Sequence, residues 1–178
     1  MTEGHGYTKF FPVSWEELHR HCKALAWRLL DTAQSNGGQY KGVVAITRGG
    51  LVPAAIVARE LEVRVIETIS CSTYDGLNRT EKVNILKPAQ AAMADQGEGW
   101  LIVDDLVDTG VTAKAVRALL PKAHFATIYA KPNGRPMVDT FITEVSQDTW
   151  ILFPWDQEAV MSKPIVAMRG AGGGGAGG

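Results

Sequence analysis

Hydrophobic residues recur along this chain with two different spacings. Between Ser14 and Asn36 they recur every three or four residues, which predicts an amphipathic helix. Ser14 and Glu17 have the spacing of a capping box at the start of this helix. The apolar stripe that should face the core consists of Trp15, Leu18, Cys22, Leu25 and Leu29.

Short β-rich runs and further helical stretches alternate through the rest of the chain. The β-rich runs predict strands at 42–46, 63–70, 83–86, 101–103, 124–131 and 141–145, before an apolar, aromatic segment at 149–155. Helical spacing predicts helices at 54–61 and 112–120, with a brief helix or turn between 88 and 99. The alternation predicts an α/β fold with a mainly parallel central sheet flanked by helices, whose ligands bind at the carboxyl ends of the strands.

The polar stretch 71–84 breaks this alternation, because it has no clear period. A polar stretch of this length between strands is typical of a surface loop and sometimes of a lid. We therefore expect most of it to form a loop near the strand ends.

Length and composition favour one globular domain. The 178 residues are 46% hydrophobic and 21% charged, with a net charge of −1, so no overall field favours nucleic acid or an anionic membrane. Cys22 and Cys71 lack the C-x-x-C spacing of a metal or redox site and are expected to be reduced thiols of a cytoplasmic protein. We predict a single domain over 1–169 and a disordered, glycine-rich tail over 170–178.

One stretch, 100–113, carries most of the candidate chemistry. Its apolar run 101–103 is followed by Asp104, Asp105 and Asp108, and then by the small polar loop 109–112 at the start of a helix. Carboxylates suit hydroxyl groups, Mg²⁺ or a proton, whereas a glycine-containing loop at a helix N-terminus suits a phosphate. The combination predicts a phosphorylated sugar as the ligand.

The sequence Val103-Asp-Asp-Leu-Val-Asp-Thr-Gly-Val-Thr112 resembles the signature of type I phosphoribosyltransferases. Further likeness to the bacterial members of that family that use xanthine and guanine covers roughly 13–165, in the segments 47–53, 72–75, 125–136, 147–150 and 154–156. The resemblance implies the type I phosphoribosyltransferase fold, with a small hood that holds the C-terminal purine-recognition segment. It also implies Mg²⁺-dependent purine salvage: transfer of a 5-phosphoribosyl group from 5-phosphoribosyl 1-diphosphate to N9 of guanine, xanthine or hypoxanthine, giving GMP, XMP or IMP and diphosphate.

The resemblance assigns residues to the phosphoribosyl donor and its metal. The implied donor-binding positions are Arg48, Gly49, Arg79, Asp104, Asp105, Leu106, Val107, Asp108, Thr109, Gly110, Val111 and Thr112. Among these, Asp105 is expected on the Mg²⁺ side. Arg79 is the basic residue of the family's flexible loop, although it is displaced by one position in our alignment.

The resemblance also assigns residues to the base. Asp108 is expected near N7 of the purine as a general base. Lys131 is expected to donate to O6, which favours a 6-oxopurine over a 6-aminopurine. Trp150 is expected to stack on the base, and the backbone of Ile151 to face its 2-position.

Partners and location follow from the resemblance as well. Members of the family are oligomers, commonly homotetramers, and some associate with the cytoplasmic face of the inner membrane. Two alternatives stay open: a hypoxanthine-guanine enzyme with little use of xanthine, and a non-catalytic regulator that binds nucleotide or RNA. Asp108 and Lys131 are both present and no basic stripe suggests nucleic acid, which argues against the regulator.

Overall fold

A computed structural model describes residues 7–35, 38–75 and 81–156. The helices are α1 (Trp15–Ser35), α2 (Leu51–Glu60), α3 (Gln90–Met93) and α4 (Val111–Leu119), with a 3₁₀ turn at Arg135–Met137. The strands are β1 (Lys9–Pro12), β2 (Gly42–Thr47), β3 (Ile66–Asp75), β4 (Glu81–Lys87), β5 (Trp100–Val107), β6 (His124–Ala130), β7 (Thr140–Glu144) and β8 (Thr149–Leu152).

The main sheet has six strands in the order β4-β3-β2-β5-β6-β7. All neighbours are parallel except β3 and β4, which are antiparallel. The sheet and its flanking helices confirm the predicted α/β class with a mainly parallel sheet.

Both faces of this sheet are covered, which explains the unbroken apolar runs of its central strands. Successive residues of a strand point to opposite faces. Accordingly, Val43 and Ala45 pack in one buried cluster with α1 and α2, whereas Val44 and Ile46 pack in the other with Val116 of α4. The two cores hold the strand ends, and therefore the loops that follow them, in fixed positions.

The first helix confirms the predicted cap and most of the predicted stripe. The backbone N–H of Glu17 donates to Ser14 Oγ at 3.1 Å. The stripe is fully buried at Leu18, Cys22, Leu25 and Leu29. Trp15 is the exception: it is 57% exposed, and its ring contacts Trp155 edge-on at 6.0 Å instead of entering the core.

The predicted loop at 71–84 is wrong over most of its length. β3 continues to Asp75, and β4 returns antiparallel to it, with Cys71 opposite Ile85 and Thr73 opposite Val83. This pair forms the edge of the sheet. Hydrogen bonds to a neighbouring strand stabilise such strands, so their sequence can lack the apolar periodicity that identifies buried strands. Only 76–80, which include the predicted donor residue Arg79, lie outside the described residues.

A small second sheet forms the predicted hood. β1 and β8 pair in parallel, with Phe10 opposite Trp150 and Phe11 opposite Ile151. The pairing joins residues near the N-terminus to the segment that is predicted to recognise a purine. The predicted tail at 170–178 lies outside the described residues, within which no helix is long and apolar enough to span a membrane.

Candidate active site

The carboxyl ends of three neighbouring parallel strands bring the predicted site residues together. β2 ends before Arg48, β5 carries Asp104 and Asp105 and ends before Asp108, and β6 ends before Lys131. Because β2, β5 and β6 are adjacent and parallel, their carboxyl ends lie side by side at the same end of the sheet.

The acidic pair on β5 faces two cavities. Asp104 lines a cavity of about 230 Å³ together with Thr109 and Thr112. Asp105, the next residue along the strand, lines a second cavity of about 770 Å³ together with Arg48 and Trp150. The alternation of strand side chains thus places one carboxyl group beside the phosphate loop and the other beside the arginine and the hood.

Burial makes ionisation of this pair costly. It raises the pKa of Asp105 to about 6, and the charge of Asp156 acts in the same direction. It also raises the pKa of Asp104 well above its ordinary value, with the charge of Asp105 as a second cause. The Asp105 backbone N–H donates to Asp104 Oδ1 at 2.9 Å and holds that carboxyl group in place. A cation or a set of hydroxyl donors would therefore be well matched to this site.

The loop 108–112 leads directly into the N-terminus of α4. Gly110 has a positive φ of 84°, a conformation that other residues rarely adopt, and it precedes the first helical residue, Val111. Every residue of the loop lines the smaller cavity. Unpaired N–H groups and the helix dipole make such a position suitable for a phosphate.

The turn after β2 brings backbone against the acidic pair. The Thr47–Arg48 peptide bond is cis. A Cβ atom on Gly49 would lie 2.2 Å from Asp105 Oδ2, so only glycine permits this approach. The exposed Arg48 lines the larger cavity beside Asp105.

Asp108 lies at the centre of a hydrogen-bonded cluster that includes Lys131, the other side chain predicted to bind the edge of the base. Lys131 Nζ lies 2.7 Å from its Oδ2, and Tyr7 donates its hydroxyl to the same oxygen at 3.0 Å. Gln147 Nε2 donates to Oδ1 at 2.6 Å, while Gln147 Oε1 accepts the Asn133 N–H at 3.1 Å. The two predicted base-binding side chains are therefore in direct contact.

The hood contributes the remaining predicted base-binding residues. Trp150 is 38% exposed and lines the larger cavity. Ile151 buries its side chain in the core, so only its backbone could reach a ligand. Two further predicted donor positions, Leu106 and Val107, line the smaller cavity. Val107 is also buried and its carbonyl accepts the Lys131 N–H, and Leu106 also packs against the core.

Residues 14–160 match the family model of the phosphoribosyl transferase domain. The chain belongs to the phosphoribosyltransferase family. The predicted family and enzyme class are thereby confirmed, and the arrangement of strand ends described above is that of a phosphoribosyltransferase.

Two relatives that match nearly the whole chain have names that specify the bases they use. The chain is 58% identical to a xanthine-guanine phosphoribosyltransferase of Nitratidesulfovibrio vulgaris (strain DP4), over 93% of this chain and 96% of that protein. It is also 58% identical to one of Desulfotalea psychrophila, over 90% and 94% respectively. Among solved structures, a purine phosphoribosyltransferase from Pyrococcus horikoshii Ot3 superposes with a TM-score of 0.71 at 26% identity, covering 86% of this chain and 99% of that one.

Two contacts of this phosphoribosyltransferase were not predicted from the sequence. Gln147 lies in a segment that resembles the family, but the resemblance gave it no role. Its position in the sequence, 39 residues after Asp108, gave no sign of their contact. Tyr7 carried no signal at all, because it reaches the site only through the pairing of β1 with β8.

The fit of Mg²⁺ can be judged from the acidic pair. The described residues contain no group of three or more His, Cys, Asp and Glu side chains that could hold a metal. Mg²⁺ at sites of phosphate transfer needs only one or two carboxylates, since substrate oxygens and water complete its shell. The half-buried carboxyl groups of Asp104 and Asp105, which line the two cavities, therefore fit a Mg²⁺ that arrives with a diphosphate.

Proposed function

We propose that this chain transfers a 5-phosphoribosyl group from 5-phosphoribosyl 1-diphosphate to N9 of guanine, xanthine or hypoxanthine, giving GMP, XMP or IMP and diphosphate. The observation that carries the proposal is the contact between Lys131 and Asp108 at the start of the loop 108–112, with Tyr7 in contact with both of them and with Trp150. Relatives that cover nearly the whole chain and are named xanthine-guanine phosphoribosyltransferases support it.

The donor would lie across the carboxyl end of β5. The N–H groups and hydroxyls of 109–112 would bind its 5′-phosphate. Asp104 and Asp105 would accept hydrogen bonds from the ribose hydroxyls, since carboxylates accept and hydroxyls donate. The larger cavity, lined by Arg48 and Gly49, would hold the diphosphate. Arg79 would reach the same diphosphate from outside the described residues.

The base would lie between Asp108 and the hood. As N9 of the purine bonds to C1′ of the ribose, the bond from C1′ to the diphosphate oxygen breaks and its electron pair leaves with the diphosphate. Asp108 would accept the proton that the purine loses at N7. Lys131 would donate to O6, and an exocyclic amino group would offer it no comparable acceptor. Trp150 would cover one face of the base, and the Ile151 backbone would face its 2-position.

Asp105 is the residue that we propose for Mg²⁺, with Asp104 beside it. A bound Mg²⁺ offsets charge on the departing diphosphate. Arg48 and the Gly49 N–H would stabilise the same charge from the protein side, because a guanidinium and an exposed amide both donate to phosphate oxygens.

From the family resemblance we propose a cytoplasmic homotetramer, of a family in which some members associate with the inner membrane face. One structural feature favours assembly: Trp27 and Leu30 are 72% and 39% exposed, three residues apart on α1. Apolar side chains that adjoin on a helix surface are the kind of patch that a second subunit covers.

A diphosphate-release assay with each base, with and without Mg²⁺, tests the proposed function. We expect release with guanine, xanthine and hypoxanthine, little with adenine, and none without Mg²⁺. Release with guanine and hypoxanthine but not xanthine would favour the hypoxanthine-guanine alternative. Tight RNA binding without any release would instead favour the non-catalytic regulator.

A further inference from the structure

Tyr7 occupies the side of the site where the base should bind. Its hydroxyl donates to Asp108 Oδ2 at 3.0 Å. The Lys131 ammonium lies 4.4 Å from the centre of its ring. Its ring also meets Trp150 edge-on, with ring centres 4.9 Å apart. One side chain thus contacts all three side chains proposed to recognise the purine.

The hood brings Tyr7 to this position. β1 pairs with β8 so that Phe10 lies opposite Trp150. At the start of β1, the N–H groups of Thr8 and Lys9 both donate to the Asp148 carbonyl, at 2.9 and 3.2 Å. These bonds anchor the start of β1 beside β8, and Tyr7, just before it, reaches Asp108.

The contacts of Tyr7 are those that a purine needs. An N–H of the base would donate to Asp108 as the hydroxyl now does. A purine O6 must come within about 3 Å of Lys131 Nζ to accept its proton. The Tyr7 ring covers this ammonium through a cation–π contact. The phenol and the base would therefore compete for the same carboxylate and the same cation.

We propose that Tyr7 sets the affinity of the site for its base, by occupying Asp108 and Lys131 in the free protein and leaving them when a 6-oxopurine enters. This inference rests on the proposed function. In the free protein, Tyr7 supplies a partner for the Asp108 carboxylate and covers Lys131, which is 1% exposed. Each base that binds must replace these contacts, which weakens its apparent affinity.

Two substitutions in the full-length chain separate the contributions of Tyr7. Tyr7→Phe removes the hydroxyl and keeps the ring, whereas Tyr7→Ala removes both. Phe10→Ala is the control, because Phe10 belongs to β1 but is 68% exposed. Steady-state kinetics with hypoxanthine as the varied substrate would give KM for the base, and a separate series would give KM for the phosphoribosyl donor.

The expected result is a lower KM for the base. Loss of one competing hydrogen bond corresponds to about a three- to tenfold decrease for Tyr7→Phe, and Tyr7→Ala, which also loses the ring, should show at least this decrease. KM for the donor should not follow this decrease, and Phe10→Ala should resemble the wild type. If Tyr7→Ala does not fold, the KM for the base of Tyr7→Phe, compared with that of the wild type, tests the inference by itself.

Two results would overturn the inference. An increase in KM for the base would mean that Tyr7 is a wall of the base site and stays there. An unchanged KM would mean that its contacts do not oppose binding. If the proposed function itself is wrong, the wild type will release no diphosphate with any base. The wild-type assay therefore separates that failure from a failure of the inference about Tyr7.

Discussion

The ammonium of Lys131 and the carboxylate of Asp108 lie 2.7 Å apart, with the lysine side chain 1% exposed and the aspartate 29% exposed. Lys131 follows β6 and Asp108 follows β5, so two adjacent strand ends place them in contact. A buried cation needs a partner, since leaving it unpaired is costly. The pair therefore holds side by side the two groups that we propose as the donor for O6 and the acceptor for the N7 proton of a 6-oxopurine.

Asp108→Asn should slow the chemical step more than it weakens donor binding. Asparagine keeps the shape of the side chain but cannot accept the N7 proton. Loss of general base catalysis typically lowers the rate about 10²- to 10⁴-fold. Steady-state measurement of kcat and of KM for the donor would separate the two effects. The matched control is Asp95→Asn, which removes a carboxylate that pairs with Lys41 away from the site. Activity of Asp108→Asn close to that of the wild type would disprove the assigned role.

Lys131→Met should reduce both activity and base selectivity. Methionine retains length and apolar stem but removes the donor to O6. Losing a charged hydrogen bond of about 1.5 to 3 kcal/mol lowers kcat/KM for hypoxanthine by about 10- to 100-fold. Activity with adenine should change less, so the ratio of the two kcat/KM values falls. Lys122→Met, at an exposed lysine paired with Glu98, controls for the loss of a lysine. An unchanged hypoxanthine-to-adenine ratio would show that Lys131 does not read position 6.

Asp105→Asn should stabilise the ligand-free protein at neutral and alkaline pH. Burial raises the pKa of Asp105 to about 6 in the folded protein, above its ordinary value of 3.8. Between these two values the folded state binds more protons than the unfolded state, so its stability falls as pH rises. The substitution removes this penalty, which amounts to about 1 to 3 kcal/mol.

Chemical denaturation at several pH values would measure the effect. The difference between Asp105→Asn and wild type should be largest at about pH 8 and vanish below about pH 3, where both states are protonated. Asp95→Asn provides a contrast of opposite sign, because the hydrogen bond from Lys41 lowers the pKa of Asp95. Its substitution should destabilise the protein above the ordinary carboxyl pKa. A pH-independent difference for Asp105→Asn would contradict the role of burial.

Gly49→Ala should impair use of the phosphoribosyl donor. The added Cβ would lie 2.2 Å from Asp105 Oδ2 and would force the carboxyl group or the turn to move. Displacement of a binding group by about 1 Å can cost about 10²-fold in rate, so kcat/KM for the donor should fall by a similar factor. Gly38→Ala is a control for backbone strain, since its φ of 103° disfavours alanine although its Cβ would meet nothing within 4 Å. A normal kcat/KM for the donor would place the diphosphate elsewhere.

Local sequence signals predicted the first helix and the signature loop well. The cap formed by Ser14 and Glu17 is present, and the loop 108–112 does begin a helix at the end of a buried strand. Such features depend on spacing within a few residues and on backbone preferences, both of which can be read from the chain. Helical spacing wrongly placed Trp15 in the core, because spacing does not show whether another element covers the first turn of the helix.

Edge strands were the weakest point of the sequence prediction. The segment 71–84 was expected to be a loop, yet most of it forms the hairpin of β3 and β4. Strands at an edge gain their stability from ladder hydrogen bonds and from cross-strand neighbours, which a polar sequence can supply without any apolar period.

The sequence by itself determined the family, the strand that delivers Asp104 and Asp105, and the order along the chain of the residues that we propose for the phosphate and the base. These depend on a contiguous signature whose residue types carry the chemistry. Tertiary structure alone decided that Asp104 and Asp105 face separate cavities, that Gln147 and Lys131 meet at Asp108, and that Tyr7 reaches the base side. These contacts join residues as many as 101 positions apart, and they form only where parallel strand ends and the hood converge.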